Sequence, residues 1–358
     1  MTAALSLELI QKLPKTELHC HLDGSLRLET VLDLARAQGV ALPTFDAGEL
    51  RGLLVAGEQV GSLEDYLRAF SITLSVLQRA DALERCAYEL AEDAWAEGVR
   101  YLEVRYAPLL HVHQGLSSAQ VIDAVLRGLA AARRAFGIRT GVILSAIRTL
   151  GPEAAVQTAE MCVAYKHRGV VALDLAGAED GFPAKRFREA YALVASHNLN
   201  CTAHAGESYG AASIHQAIHV CGARRIGHGT RLLEDADLLD FVTDQRIPLE
   251  VCPTSNVQTR VAATWGLHPL EFYLDYGVCL TINTDNRLMS ETTASKELWG
   301  CVQAFGWSRE RLEQVIMNGF EAAFLPWREK QDLMAAARRA LATVTDRSTS
   351  RPENVQQD

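Results

Sequence analysis

Runs of residues typical of buried strands recur eight times along this 358-residue chain, and longer stretches with helical periodicity separate them. The runs lie near residues 16–22, 100–107, 139–147, 170–176, 200–205, 224–228, 247–252 and 278–285. Strands that alternate with helical crossovers form a parallel sheet covered by helices. Eight such units predict an α/β fold, the (β/α)8 TIM barrel, whose functional residues lie at the carboxyl ends of the strands.

The connection between the first and second runs is far longer than the later connections. Because it contains amphipathic patterns of helical period, we predict a helical insertion at about 40–98. Extra C-terminal helices are predicted at 308–324 and 329–344. The prediction is therefore a single domain over 1–344, and the polar, proline-interrupted segment 345–358 is expected to be a disordered tail.

The bulk properties restrict the class of partner. A formal net charge of −9 argues against nucleic acid and against an anionic membrane surface. The sequence has no signal-like N-terminus and no apolar run of the length that spans a bilayer, about 18 residues. Its eight cysteines are scattered, with no Cys-x-x-Cys pair, which suits a reducing compartment. We therefore expect a cytoplasmic protein with a small-molecule partner, and the oligomeric state stays open.

The first run carries two histidines at the spacing of a metal site. In a regular strand His19 and His21 share a face about 7 Å apart, within reach of one zinc ion. Strict alternation also puts Glu17 and Asp23 on this face. It predicts that the opposite face carries Leu18, Cys20 and Leu22. A lone His-x-His is equally typical of a strand whose polar face meets water, so the prediction requires partners from other strands.

Those partners stand at the ends of later runs. His204 ends the fifth run and Asp285 ends the eighth, so in a barrel they converge with the first-strand histidines. Three imidazoles and one carboxylate form a plausible zinc site. Glu207, just past the fifth run, is placed to move a proton, and His228, at the end of the sixth, is placed to orient or deprotonate a water. The polar residues Asp174 and Glu250 interrupt the fourth and seventh runs.

A second His-x-His pair, His111 and His113, is predicted not to bind metal. It follows Ala107 and Pro108 in a loop, with no acidic residue nearby. We interpret the remaining histidines as ordinary helix or loop residues.

The motifs together resemble those of the adenosine deaminase family, within the amidohydrolase superfamily, over about residues 13–324. The matching segments, in family order, are His19-Cys20-His21-Leu22-Asp23-Gly24, Thr202-Ala203-His204-Ala205-Gly206-Glu207, Arg225-Ile226-Gly227-His228-Gly229, Cys252-Pro253-Thr254-Ser255-Asn256 and Asn283-Thr284-Asp285-Asn286. The resemblance implies a zinc-dependent hydrolase that converts adenosine or 2′-deoxyadenosine to inosine and ammonia. It also implies one zinc ion per chain, because the fourth run lacks the lysine of dinuclear relatives.

Carried over residue by residue, the resemblance assigns roles to nine positions. The metal ligands would be His19, His21, His204 and Asp285. Glu207 would protonate N1 of the purine while an activated water attacks C6, and His228 would hold and help deprotonate that water. The backbone of Gly177 would contact N3 of the base, and Asp23 would contact the ribose.

Asn286 departs from the family pattern, since many members have aspartate at this position, next to N7. N7 accepts hydrogen bonds, and an asparagine amide can donate one directly. Purine binding is therefore retained, while the exact aminopurine stays open. Asp23 favours a nucleoside over adenine, for which related enzymes usually carry glutamate, and 6-aminodeoxyfutalosine remains an alternative substrate.

Three other classes compete with this interpretation. The cytidine and tRNA-adenosine deaminases use a Pro-Cys-x-x-Cys zinc motif, but no second cysteine follows Pro253 in register. A binding module that has lost its activity would lack Glu207 or a metal ligand, and all are present. An amidohydrolase acting on another amino-heterocycle is the third alternative.

Overall fold

The computed structural model describes residues 5–55 and 63–346 and forms the predicted barrel. Its eight strands are β1 (Lys15–His21), β2 (Val99–Tyr106), β3 (Arg139–Ile147), β4 (Val170–Ala176), β5 (Asn200–Ala205), β6 (Arg225–His228), β7 (Leu249–Val251) and β8 (Leu280–Ile282). Each strand pairs in parallel with the next in sequence order. A bridge between Cys20 and Asp285 brings the last strand back to the first, so the sheet nearly closes on itself.

Fifteen α-helices are found in the described parts of the chain. They are α1 (Leu7–Lys12), α2 (Leu28–Gln38), α3 (Ala47–Leu54), α4 (Leu63–Val76), α5 (Ala80–Ala96), α6 (Ser118–Phe136), α7 (Pro152–Tyr165), α8 (Arg188–Ser196), α9 (Ala211–His219), α10 (Ala236–Asp244), α11 (Pro253–Gln258), α12 (Leu270–Tyr276), α13 (Ala294–Phe305), α14 (Arg309–Ala322) and α15 (Trp327–Asp346). None of these described helices is long and apolar enough to cross a bilayer.

Local signals explain where the crossover helices begin and end. Helix α6, whose bounds the sequence analysis does not give, starts with a capping box between Ser117 and Gln120 and stops at Gly137 in the left-handed conformation. Its apolar face is buried, as the amphipathic pattern requires. The strands also lie under helices on their outer face, where Leu102, Val104 and the other outward-facing apolar residues form the main core.

Helices α3, α4 and α5 occupy the long connection before β2. The boundary of the proposed insertion, 40–98, stays a prediction, and residues 56–62 within it lie outside the described residues. At the other end, α15 runs to Asp346, two residues into the segment expected to be a tail. The rest of that segment, 347–358, also lies outside the described residues.

The alternation expected in β1 is wrong at one point. The pairing of β1 with β2 changes register between Glu17 and Cys20, so a bulge adds one residue there. As a result Leu18 points into the barrel and packs on Tyr101, while Glu17 accepts a hydrogen bond from the backbone of Thr284 instead of sharing the face of His19. The bulge keeps both histidines at the barrel mouth.

Charged side chains fill the lower part of the barrel interior. Glu250 accepts hydrogen bonds from Arg105 at 2.7 Å and from Arg225 at 2.7 Å, and Arg225 also pairs with Glu103. The guanidinium of Arg225 stacks on Phe324 at 3.6 Å, and the backbone N–H of Phe324 donates to Glu103. The segment after α14 therefore seals the amino-terminal end of the barrel.

Candidate metal centre and active site

Four of the predicted site residues meet at the carboxyl end of the barrel. Nε2 of His204 lies 3.0 Å from Nε2 of His19 and 3.2 Å from Nε2 of His21. Oδ1 of Asp285 lies 3.5 Å from Nε2 of His19 and 3.4 Å from Nε2 of His21. Ligand atoms that share one tetrahedral zinc ion are about 3.4 Å apart, given bonds of ~2.1 Å. The four side chains therefore have the spacing of ligands to a single ion.

The protonation of these rings fits a cation between them. Nδ1 of His19 lies 2.9 Å from Glu250, and Nδ1 of His204 lies 3.2 Å from Asp174. Because a carboxylate only accepts, both rings donate from Nδ1, and a neutral ring then has a bare lone pair on Nε2. In two such neutral rings the Nε2 atoms, which lie 3.0 Å apart, would face each other with lone pairs and without a hydrogen bond. A metal ion placed between them removes this conflict.

The carboxylates behind the rings are charged. Burial alone would raise the pKa of Asp174, but His204 and Arg105 hold that pKa well below its usual range. The pKa of Glu250 is likewise held well below its usual value against burial, chiefly by Arg105 and Arg225. The interior network thus supplies the negative charge that orients the two imidazoles.

His228 is a fifth possible donor. A ligand atom of His228 lies within 4.8 Å of the ligand atoms of His19, His204 and Asp285, a grouping that leaves His21 out. His19, His204 and Asp285 thus belong both to the predicted set of ligands and to this second set. Either His21 or His228 could fill the fourth ligand position. Burial and the neighbouring His19 hold the pKa of His228 well below its usual value, so its ring is neutral.

Backbone conformation aims two of these residues inward. His228 and Asp285 both have a φ of +61°, a left-handed conformation that is strained for residues other than glycine. A hydrogen bond of 2.7 Å from Ser255 to Oδ2 of Asp285 leaves Oδ1 facing the imidazoles. Gly227 leaves room for the cluster, because a Cβ there would make tight contacts of 3.1 Å with Cε1 of His19 and with Cα of His204.

Glu207 is buried beside the imidazole cluster. Its Oε1 lies 3.7 Å from Nε2 of His228. Burial, opposed by His204 and reinforced by the carboxylate of Asp285, raises the pKa of Glu207 to about 8. The side chain is therefore protonated near neutral pH and can act as a general acid.

One carboxylate fixes the loop that carries Glu207. Glu179, which follows β4, accepts backbone N–H groups through both oxygens, at distances between 2.7 and 3.1 Å. The four donors are the backbone nitrogens of Gly206, Glu207, Ser208 and Tyr209. A carboxylate bound by four amide donors makes a rigid anchor, so Glu207 is held in place by its main chain.

The three residues predicted to contact substrate sit around the same mouth. Within the described structure, Oδ1 of Asp23 and Oδ1 of Asn286 are buried without a hydrogen-bond partner. Burial raises the pKa of Asp23 to about 7. Asn286 packs on Gly24, where any Cβ would collide with its amide, and Gly177 directly follows β4 with a φ of +89°. Unpartnered buried polar atoms are costly unless a ligand satisfies them.

Four residues that support this arrangement have no role in the sequence prediction. Asp174 and Glu250 are visible in the sequence as polar residues inside apolar runs, and that interruption is the signal that could have identified them. Ser255 lies inside a quoted motif. Glu179 has no comparable signal, because its function depends on where the β5 loop folds. His111, by contrast, is buried and donates from Nδ1 to the carbonyl of Leu77 at 3.0 Å, away from the cluster.

Fold and site together define a class: a (β/α)8 barrel with a His/Asp cluster that could hold a metal ion and a buried glutamate at its mouth. A family model described as adenosine deaminase matches residues 14–339. The adenosine deaminase of Mycobacterium avium is 42% identical over 349 residues, which cover 92% of this chain and 95% of that protein. The chain therefore belongs to the adenosine deaminase family.

Other relatives show how the chain compares in length and structure. A probable adenosine deaminase of Dictyostelium discoideum is 41% identical over 321 residues, and the match spans 90% of this chain but 42% of that longer protein. An amidohydrolase of Burkholderia ambifaria, solved with bound zinc, is 27% identical with a TM-score of 0.89, covering 97% of this chain and 95% of that one. The adenine deaminase of Arthrobacter aurescens is 28% identical with a TM-score of 0.86, covering 92% and 99%.

Proposed function

We propose that this chain hydrolyses adenosine and 2′-deoxyadenosine to inosine and ammonia, with one zinc ion per chain. The observation that carries the proposal is the geometry at the mouth, where Glu207 lies buried beside the cluster of imidazoles and Asp285, with its Oε1 3.7 Å from Nε2 of His228. Burial, which raises the pKa of Glu207 to about 8, favours the protonated carboxylic acid. A purine ring needs a proton at N1 before its C6 accepts a nucleophile. A neutral carboxylic acid next to a metal site supplies that proton at neutral pH.

His19, His21, His204 and Asp285 are the residues that would hold zinc. We choose His21 over His228 as the fourth ligand because Nε2 of His21 lies within 3.4 Å of both His204 and Asp285. Zinc bound in such a site lowers the pKa of a water molecule, so that a nucleophile is available near neutral pH.

The remaining polar groups position the nucleoside. His228 faces the attacking oxygen from the side of Glu207. Asp23 would accept from the ribose through its unpartnered Oδ1, and the NH2 group of Asn286 would donate to N7 of the base. The backbone of Gly177 approaches the base because no side chain stands in the way. An analogue that lacks the matching groups would leave these buried atoms unpaired, which is a strong basis for selectivity.

All eight cysteines are free and buried, which supports action in the cytoplasm.

The test is a spectrophotometric assay of the purified, zinc-loaded protein with adenosine, 2′-deoxyadenosine, adenine, AMP and 6-aminodeoxyfutalosine. We expect the two nucleosides to give the highest kcat/KM. Faster turnover of adenine or 6-aminodeoxyfutalosine would overturn the substrate and leave the deaminase chemistry intact. Absence of turnover with all five would overturn the deaminase assignment. A sample stripped of metal and reloaded with zinc tests the metal, since activity should return with one equivalent.

A further inference from the structure

Behind His228, buried side chains form a hydrogen-bonded chain that leads away from the metal cluster. Nδ2 of Asn256 lies 3.0 Å from Nδ1 of His228, and Oδ1 of Asn256 lies 3.1 Å from Nε2 of His268. Nδ1 of His268 in turn lies 3.1 Å from the backbone nitrogen of Leu270. His228, Asn256 and His268 are at most 4% exposed, so water does not compete for these contacts.

The backbone end of the chain fixes the direction of every hydrogen bond in it. The N–H of Leu270 can only donate, so Nδ1 of His268 must accept and carries no proton. The ring of His268 is neutral, because burial lowers its pKa to about 4. A neutral imidazole has one N–H, so the proton of His268 is on Nε2 and is donated to Asn256.

This direction also decides which way the amide of Asn256 faces. Turning the amide over would place its NH2 group against the N–H of His268, with two donors 3.1 Å apart. The carbonyl oxygen therefore faces His268, and the NH2 group faces His228 and donates to its Nδ1. Because Nδ1 of His228 accepts, it carries no proton, and the proton of the ring must be on Nε2, the atom that lies 3.7 Å from Glu207.

We propose that Asn256 and His268 are positioning residues that fix His228 with its proton on Nε2, so that His228 donates a hydrogen bond to the attacking oxygen and is not its base. The inference rests on the proposed deamination only for the identity of that oxygen. With a proton on Nε2, the ring has no lone pair on the side of the attacking oxygen, and its remaining lone pair, on Nδ1, accepts from Asn256. Glu207 then gives its proton to N1 and takes the proton that the attacking water loses, so the carboxylic acid is regenerated.

The direct test is ¹⁵N NMR of the unmodified protein labelled in its histidine rings, because ring nitrogen shifts distinguish a protonated from a bare nitrogen. We expect His228 to show a protonated Nε2 and a bare Nδ1, in both metal-free and zinc-loaded protein. A proton on Nδ1 of His228 would overturn the proposal. The measurement needs no nucleoside, so it stands or falls separately from the substrate assay.

Asn256→Asp reverses the direction of the hydrogen bond to His228 and keeps the size and shape of the side chain. A carboxylate accepts on both sides, so it still pairs with His268 but forces the proton of His228 onto Nδ1. We expect the ring spectrum to reverse and kcat to fall about 10²–10³-fold, the usual effect of removing one donor to developing negative charge, with KM changed less than about threefold. Full activity with a reversed ring would overturn the role in catalysis.

The matched control is Asn318→Asp. Asn318 is also buried in the described structure, but it donates to the carbonyl of Leu280 at 3.1 Å and takes no part in the site. We expect this variant to leave the spectrum of His228 and kcat unchanged. If the control lowered kcat as much as Asn256→Asp does, the effect would come from a buried charge in general and the proposal would fail. Should Asn256→Asp not fold, the spectrum of the unmodified protein still decides.

Discussion

The two ends of the barrel interior both contain buried polar side chains, but they satisfy them differently. Toward the amino-terminal end, Glu250 has donors on both oxygens, Arg225 is bound by Glu103 and Glu250, and Phe324 covers the group. At the mouth, Asp23 and Asn286 keep buried oxygens without partners among the described residues, and Glu207 keeps its proton. Ion pairs hold the first group, in which Nε and Nη1 of Arg105 still have no hydrogen-bond partner among the described residues. We interpret the open acceptors of the second group as places where a ligand binds.

The two ends are connected through the histidines. Glu250 holds His19 as well as the two arginines, and Asp174 holds His204 while lying near Arg105. The paired network therefore sets the orientation of the rings at the mouth. This predicts that changes below the cluster reduce stability or metal affinity, and that changes at the mouth reduce catalysis or binding while sparing stability.

The largest effect is expected at the mouth, from Glu207→Gln. Glutamine keeps the size of the side chain but has no acidic proton to give, so kcat should fall roughly 10²–10⁴-fold. Zinc content, measured by elemental analysis, should stay at one per chain, and thermal stability should not decrease. A fully active variant would show that another group protonates the base.

The next effect is on stability, from Glu250→Gln. The substitution leaves Arg105 and Arg225 with one charge partner fewer in a buried site, which should lower the free energy of unfolding by about 3–5 kcal/mol. Urea unfolding of metal-free protein measures this without a contribution from zinc. Glu84→Gln, which breaks an exposed pair with Arg127, is the control and should cost less than about 1 kcal/mol. Equal costs would remove the distinction between the network and the surface.

Asp174→Asn addresses the link between the two ends. It weakens the contact that orients His204, so zinc affinity should fall about 10–100-fold, as measured by competition with a chelator. Glu103→Gln is the matched variant, since it breaks a buried pair of the same network without touching an imidazole. It should reduce stability and leave zinc affinity unchanged. A comparable loss of zinc affinity in both variants would mean that zinc affinity follows the overall stability of the protein and not the contact between Asp174 and His204.

The pH dependence of the rate provides a smaller and graded effect. Because the pKa of Glu207 is raised to about 8, its acid form dominates below that pH and is lost above it. The rate should therefore be sustained at neutral pH and fall, by up to about tenfold per pH unit, as pH rises beyond 8. Profiles of kcat/KM for the unmodified protein and for Glu207→Gln check this, since the variant should lack the alkaline decline.

Much of this arrangement can be predicted from the sequence, and there are physical reasons why the rest cannot. The strands at 139–147, 170–176 and 200–205 are as predicted, because buried parallel strands have continuous apolar runs. Barrel topology then brings His204 and Asp285 to the first-strand histidines. The β1 bulge could not be predicted, because simple alternation assumes an uninterrupted strand.

Contacts between segments that are distant in the sequence also cannot be predicted from a sequence pattern. The four amide donors on Glu179 exist only once the β5 loop has folded over it, and the chain through Asn256 and His268 depends on the three-dimensional positions of both. The roles of the site residues themselves stay predictions. Those roles depend on how a ligand binds to these atoms, and substitutions of the residues at the mouth test them.

The smallest effect is the most selective test of that comparison, and it uses two asparagines three positions apart. Asn283 accepts from the backbone N–H of Leu18 at 2.9 Å and donates to Thr281, whereas Oδ1 of Asn286 has no partner in the described residues. Asn283→Ala strands a buried N–H and should lower the free energy of unfolding by about 1–3 kcal/mol. Asn286→Ala removes an unsatisfied group, so unfolding should be unchanged within about 0.5 kcal/mol.

For the same reason Asn286→Ala should act on the substrate. Loss of one hydrogen bond to the base, about 0.5–1.5 kcal/mol, should raise KM a few-fold to about tenfold and leave kcat nearly constant. Steady-state kinetics and urea unfolding of the two variants separate these effects. If Asn286→Ala were the destabilised variant and its KM were normal, Asn286 would belong with the paired interior. The unpartnered atoms at the mouth would then no longer indicate a ligand.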